Sequence, residues 1–251
     1  VRFSRLKLMS LSPAHYFAAC QRSAHYEETL AMRLGSGVHA MVLKQPVIKY
    51  DGRRAGKDWD AFEAQHADKV ILNAREWYEA SAIADSILRH REACAILFDG
   101  TELERHIEWS WLGRKCSSRP DARGRYHIAD LKTTRTSRPG LFMREALRAQ
   151  YHAQLAFYDE ANHAERGERF SNHYIVAVEK ADPFPVTVFR LTERALDLGR
   201  RSNRVWFEQL LACESAGVWP AYAESIVDLD APEDDGGPIE IEINGQSVEV
   251  F

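Results

Sequence analysis

The spacing of apolar and polar positions changes character twice along the chain. As far as residue 89 it is helical. Ser12 ahead of Pro13 makes a helix start, because a hydroxyl caps the first free N–H groups and proline has none to lose. A second helical stretch is expected over residues 25–32. Leu34-Gly-Ser-Gly-Val-His-Ala-Met-Val-Leu43 then reads as a glycine-rich entry into a short apolar helix carrying His39. Residues 47–56 are turn-rich and basic, with Arg53, Arg54 and Lys57 close together, and helices follow over 58–67 and 73–89.

Near Thr101 the period becomes two. Leu103, Ile107, Trp109 and Trp111 read as one strand and residues 115–121 as a second. Arg123-Gly-Arg125 then turns into a third over 126–133. Arg138-Pro139 opens one long helix over about 141–164. Strands are expected over 171–178 and 185–191, and Thr192 with Glu193 starts a helix to about 216. The order predicts an α/β (α+β) fold, a central mixed β-sheet flanked by helices with a helical N-terminal region. Residues 224–251 differ again: an acidic linker, Pro232-Glu-Asp-Asp-Gly-Gly-Pro238, then strands around Asn244-Gly245, which suits a type I′ hairpin turn. Residues 1–223 therefore read as the domain and 224–251 as an acidic linker and β-hairpin tail.

With 251 residues and 45% hydrophobic content the chain can bury a sizeable core, which excludes a disordered class. No apolar run approaches the roughly 20 residues of a membrane span, and the N-terminus lacks a signal-peptide pattern. The expectation is a cytoplasmic protein with no membrane partner. Cys20, Cys94, Cys116 and Cys213 are scattered and form no C-x-x-C pair, which fits reduced thiols and argues against a zinc ribbon or iron–sulfur cluster. The net charge of −4 is an average of unlike parts. Residues 224–251 hold nine acids and no Lys or Arg, leaving residues 1–223 at +5. Between Arg114 and Arg148 ten basic residues meet Asp121, Asp130 and Glu145. Such a window favours a phosphate-bearing partner, although an ordinary solvated charge run has the same composition.

That window holds the candidate chemistry. Asp130 and Lys132, two apart on one strand, point to the same side while Leu131 faces the core. A hairpin of eight intervening residues brings Asp121 beside Asp130. Two carboxylates and a lysine at a strand end form a hard-oxygen site for Mg²⁺ or Mn²⁺. An isolated Asp-x-Lys also fits a surface ion pair. Tyr151, Gln154 and Tyr158 share one helix face by their 3-then-4 spacing, as a site or an amphipathic interface would. His39 fits either a packed core histidine or a third protein ligand.

The ordered set resembles a known family. Leu34-Gly-Ser-Gly-Val-His39, Asp51-Gly-Arg-Arg-Ala-Gly-Lys57, Ser118-Arg-Pro-Asp121, Asp130-Leu-Lys-Thr-Thr134 and Gln150-Tyr-His-Ala-Gln-Leu-Ala-Phe-Tyr158 are similar to the RecB-type branch of the PD-(D/E)xK nucleases. Most closely they resemble the exonuclease VIII (RecE-like) exonucleases of phages and prophages. The resemblance covers roughly residues 5–220. It implies a PD-(D/E)xK nuclease-like core with divalent metal on His39, Asp121, Asp130 and the Leu131 carbonyl, and Lys132 orienting the attacking water. Gln154 and Tyr158 would brace the lysine and the DNA end. Glu104, on the first strand, matches an acidic family position, and Arg119, Thr133, Arg135 and Tyr151 would contact DNA. The activity implied is a Mg²⁺- or Mn²⁺-dependent exonuclease resecting linear double-stranded DNA 5′→3′ for recombination. A RecT-type single-strand annealing partner and a homo-oligomer, in a bacterial host cell and encoded by a phage or prophage, are implied with it. An endonuclease or single-strand nuclease of the same fold, or a non-catalytic DNA-end or partner-binding module, are the alternatives. A neutral ligating His39 would make the rate fall toward acid between about pH 6 and 8.5, around the ordinary histidine pKa.

Overall fold

In the computed structural model the alternation that starts at Thr101 resolves into two separate sheets. The structure describes residues 1–21 and 29–229, together with the backbone of two strands at 239–243 and 246–250. In chain order the elements begin with α1 (Phe3–Leu6), a 3₁₀ turn (Lys7–Ser10), α2 (Pro13–Gln21), α3 (Leu30–Val42), β1 (Val47–Lys49) and α4 (Lys57–Gln65). Then come β2 (Val70–Leu72), α5 (Ala74–Arg89), α6 (Arg91–Phe98), β3 (Glu102–Leu103), β4 (Ile107–Trp111), β5 (Arg114–Ser118), β6 (Ala122–Arg123) and β7 (His127–Thr134). The chain continues with α7 (Pro139–Arg148), α8 (Tyr151–Arg166), β8 (Asn172–Glu179), β9 (Val186–Arg190), α9 (Glu193–Ala216), β10 (Ile239–Ile243) and β11 (Gln246–Val250).

The central sheet has the order β3-β6-β7-β8-β9. β7 and β8 run parallel, joined by the α7–α8 crossover, and the other neighbours are antiparallel. β4 pairs with β5, and β1 with β2 in parallel, as small separate sheets. Two cores flank the central sheet. On one face Ile128, Ile175 and Ala177 pack with Phe3 of α1, Phe157 of α8 and Phe207 of α9. On the other, Ala129, Leu131, Val176 and Val178 pack with Val38 of α3, Ile83 of α5 and Leu97 of α6. The alternation on β7 thus sets its facing. A one-residue slip would turn Asp130 and Lys132 into the core that now holds the fully buried Leu131, leaving charged groups without their partners.

Three expectations change. The expected strand through Leu103 and Trp111 is two, β3 and β4, in different sheets. The expected helix over 141–164 is broken at Gln150, whose φ of +65° is left-handed, so α8 sets off in its own direction against β7. Gly35 and Gly37 lie inside α3 and not at its entry: a Cβ on Gly37 would sit 2.8 Å from a Leu72 methyl carbon, and one on Gly35 would sit 3.1 Å from Thr133 Oγ1. The glycines are close-approach positions that let α3 lie against β2, α5 and the end of β7. α6 has no counterpart among the expected elements. Half of the expected helix over 25–32 lies outside the described residues, its other half forming the N-cap and first turn of α3, and the 232–238 linker lies outside them entirely. β10 and β11 pair as the expected hairpin, Ile239 opposite Val250.

Capping ties α3 in place. Asn73 Oδ1 accepts from the Glu76 N–H at 2.8 Å and Glu76 Oε2 accepts from the Asn73 N–H at 2.9 Å, a reciprocal cap on α5. Buried Glu76 also takes Arg33 of α3 at 3.0 Å and Arg54 at 2.7 Å. Part of the basic 47–56 segment therefore serves as a brace.

Candidate active site

β6 is short because Pro120, just ahead of it, has no N–H to continue the ladder with β7. With Ala122 opposite Ala129, Asp121 comes level with Asp130 where the ladder stops. The Leu131 N–H, without a strand partner there, donates to Asp121 Oδ2 at 2.6 Å. The N–H and C=O of one strand residue leave on the same side, so the Leu131 carbonyl faces the same gap. His39 from α3 completes that edge: Nδ1 lies 3.6 Å from Asp121 Oδ2, and the ring has a backbone hydrogen bond with Leu131.

Asp130 and Lys132 project from the α8 face of β7 as an ion pair. Gln154 Nε2 donates to Asp130 Oδ1 at 3.2 Å and to the Tyr158 hydroxyl at 2.9 Å. The expected brace on the lysine thus holds the carboxylate instead. It is Tyr151 that meets the lysine, its ring centroid 4.8 Å from Nζ, where the quadrupole favours a cation.

His39, Lys132, Tyr151, Gln154 and Tyr158 line a cleft of about 1230 Å³, with Glu104, Arg119 and Thr133 on its walls. The buried Asp121 and Asp130 lie behind that lining in contact with His39, Lys132 and Gln154. Glu104 lies just past β3 at a φ of +52°, off the strand expected to carry it, and is ion-paired to Arg119. Arg135 is exposed beyond β7, outside the cleft lining. Arg123, at 1% exposure, donates to Asn162 Oδ1 at 3.0 Å and pairs with Glu165, so it is a core residue and no phosphate contact. The lining also includes residues that sequence reading passed over: Arg2, Ser4, Lys7, Gln45, His106 and Lys180. Lys7 belongs to no motif. The fold alone brings it close enough for burial and the Lys132 charge to lower its pKa.

Electrostatics separate the groups. Burial, then the neighbouring Asp130, hold the Asp121 carboxyl well above the usual carboxylate pKa. Burial opposes the Lys132 ammonium, but Asp130 and Asp121 outweigh it and keep the lysine protonated. Burial and the Lys132 charge push His39 down to about 4. His39 is therefore neutral throughout pH 6–8.5, and the acid fall expected from it in that window has no basis.

Among the described residues no three His, Cys, Asp or Glu side chains stand gathered as a ready-made metal cage. Asp130 is turned to Lys132 and Gln154, and one donor is a main-chain carbonyl. The donors nevertheless fit a hard divalent cation: Asp121, Asp130 and the Leu131 carbonyl offer oxygen, His39 offers nitrogen, and the two carboxylates repel one another without a cation. Divalent binding favours the ionised form of Asp121, whose carboxyl is held above the usual carboxylate range by burial and Asp130. We expect Mg²⁺ or Mn²⁺ titrations by calorimetry to release protons in the pH range where that carboxyl titrates, and affinity to rise with pH across it. Binding heats independent of the buffer's ionisation enthalpy would contradict this.

The profile of the PDDEXK-like domain of unknown function (DUF3799) matches residues 2–231. The chain belongs to this family. Among solved structures it is similar to a provisionally assigned exonuclease from Eubacterium rectale at 14% identity and a TM-score of 0.64, over 93% of this chain and 91% of that one. That likeness is one of fold. An alkaline exonuclease from Laribacter hongkongensis aligns at 15% identity over 76% of this chain and 95% of that one, with a TM-score of only 0.33. No curated protein matches the sequence. The mixed sheet flanked by helices and the PDDEXK-like character agree with the resemblance to RecE-like nucleases. No helix among the described residues is long and apolar enough to cross a membrane.

Proposed function

We propose that this chain is a metal-dependent exodeoxyribonuclease that degrades linear double-stranded DNA, 5′→3′, to expose single strands for recombination. The observation that carries the reading is the meeting of Asp121, Asp130 and Lys132 where the β6–β7 ladder ends, with the Leu131 carbonyl beside them and Lys132 and His39 lining the cleft. His39, Asp121, Asp130 and the Leu131 carbonyl would hold Mg²⁺ or Mn²⁺. Such an ion, when bound, polarises the phosphate and acidifies a water. Lys132 stays protonated, so it orients water and faces developing negative charge and does not act as a base. Gln154 aims Asp130, Tyr158 anchors Gln154, and Tyr151 backs the ammonium. Arg119, Thr133 and Arg135 contact the DNA backbone, and Glu104 aims Arg119. Residues 1–223 form the nuclease domain and 224–251 its acidic appendage. A RecT-type annealing partner, a homo-oligomeric assembly, a phage or prophage origin and action in the bacterial cytoplasm complete the proposal.

Linear, nicked, closed circular and single-stranded DNA incubated with Mg²⁺ test it. Loss of linear duplex alone, leaving a single strand, is expected. Cutting of closed circles would identify an endonuclease, and binding without Mg²⁺-dependent cleavage a non-catalytic module.

A further inference from the structure

A second concavity of about 860 Å³ opens beside the cleft, and Arg2, Ser4 and Ser117 line both. The N-terminal segment builds the join. Arg2 forms a parallel bridge with Ser117, whose N–H donates to the Val1 carbonyl at 2.9 Å, so this segment extends the β4–β5 edge. The β4–β5 turn passes through Leu112 and Gly113, both with positive φ, and delivers Arg114 and Lys115 to the concavity. Arg5 on α1 lines the same concavity. Arg2, Arg5 and Lys115 are exposed, Glu108 is the acid in the lining, and Arg114 is paired to Glu214 at 2.6 Å. Trp109 and Tyr16 are each only 7% exposed there and have little face left for stacking bases.

We propose that this groove is a binding site for a single strand of nucleic acid continuous with the strand in the cleft, gripped by its phosphates without regard to sequence. A basic track lacking open aromatic platforms predicts phosphate contacts that depend on salt. The inference rests on the nuclease reading only for what occupies the cleft.

The test measures binding in EDTA, where no cleavage occurs, of labelled thymidine oligomers of about 4 and about 16 nucleotides, which bracket ordinary single-strand site sizes. The double variant Arg5→Gln/Lys115→Gln leaves the site residues and the Arg114 ion pair intact. It is expected to bind the long oligomer roughly tenfold more weakly and to lower the log–log salt slope by about 1.4, two single-strand phosphate contacts' worth. The short oligomer, held within the cleft, should be unaffected. Arg5→Lys/Lys115→Arg should restore the slope, and melting curves identify any variant that fails to fold. An unchanged slope, equal loss on both oligomers, or a loss confined to duplex DNA would overturn the proposal. Absence of Mg²⁺-dependent cleavage in the wild type would sink the nuclease reading alone, because the EDTA measurement still decides the groove.

Discussion

Asp130→Asn is expected to abolish cleavage while leaving the protein folded. The substitution keeps the shape of a side chain that is 3% exposed, and its carbonyl oxygen can still accept from Gln154. What disappears is the charge. One carboxylate of the proposed pair no longer draws a cation, Lys132 loses its main partner, and Asp121 is freed from the neighbour that raises its pKa. Metal assistance is worth several kcal/mol of transition-state stabilisation. At 1.36 kcal/mol per tenfold, kcat should fall by more than about 10³. Mg²⁺ binding should fall with it in calorimetry. Lys132→Met separates the two roles. It removes a charge facing the phosphate and should cost about 10²–10³ in kcat, the scale of losing one such donor, while metal binding persists. Cleavage by Asp130→Asn within tenfold of wild type would remove Asp130 from the site.

Gly199→Ala is expected to cause the largest loss of stability from a single methyl. Gly199 lies where α9 crosses α8, and a Cβ there would be 2.5 Å from the His152 carbonyl oxygen and 2.9 Å from Ala153 Cα. Both are backbone atoms, so no side chain can turn aside to make room. Asn203 Nδ2, one turn along α9, donates to the Ala153 carbonyl at 2.8 Å and ties the same crossing. Alanine gains about 1 kcal/mol in helix propensity, but forced overpacking costs about 1–3 kcal/mol and more where backbone must shift. A net loss near 2 kcal/mol lowers the melting temperature by roughly 4–8 °C in a chain of this size. α8 also carries Gln154 and Tyr158, so cleavage should weaken even at temperatures where the variant is folded. Gly140→Ala is the control: it lies in α7 with nothing within 4 Å of its Cβ, so it should keep the helix-propensity gain of up to about 1 kcal/mol and lose no stability. A Gly199→Ala protein that melts with the wild type would refute the close crossing.

Local pattern carried much of this protein. The two-residue period on 127–134 already placed Asp130 and Lys132 on one side and Leu131 on the other. The eight-residue return brought Asp121 level with Asp130, and start signals at Ser12 and Thr192 marked helix starts that the structure keeps. These are short-range properties: side-chain direction and N–H satisfaction depend on neighbours a few residues away.

Which elements meet is decided over distances that no local pattern encodes. The same alternating run was split between two sheets, Gly35 and Gly37 served packing inside a helix where a helix entry was expected, and a left-handed Gln150 broke one helix into two. Each outcome depends on a partner far along the chain, whether Thr133, Leu72 or the far face of β7. The charges followed the same division. Ten basic residues between 114 and 148 could be counted from the sequence, yet packing buried Arg123 and paired Arg119 with Glu104. Packing likewise brought Lys7 within reach of the Lys132 charge and set Arg5 and Lys115 in the lining of one concavity. The type of chemistry was therefore legible in residue spacing. The membership of the cleft, the protonation of its groups and the groove leading from it came from the packing of distant segments, because burial and proximity, which shift a charge, exist only once the chain has folded.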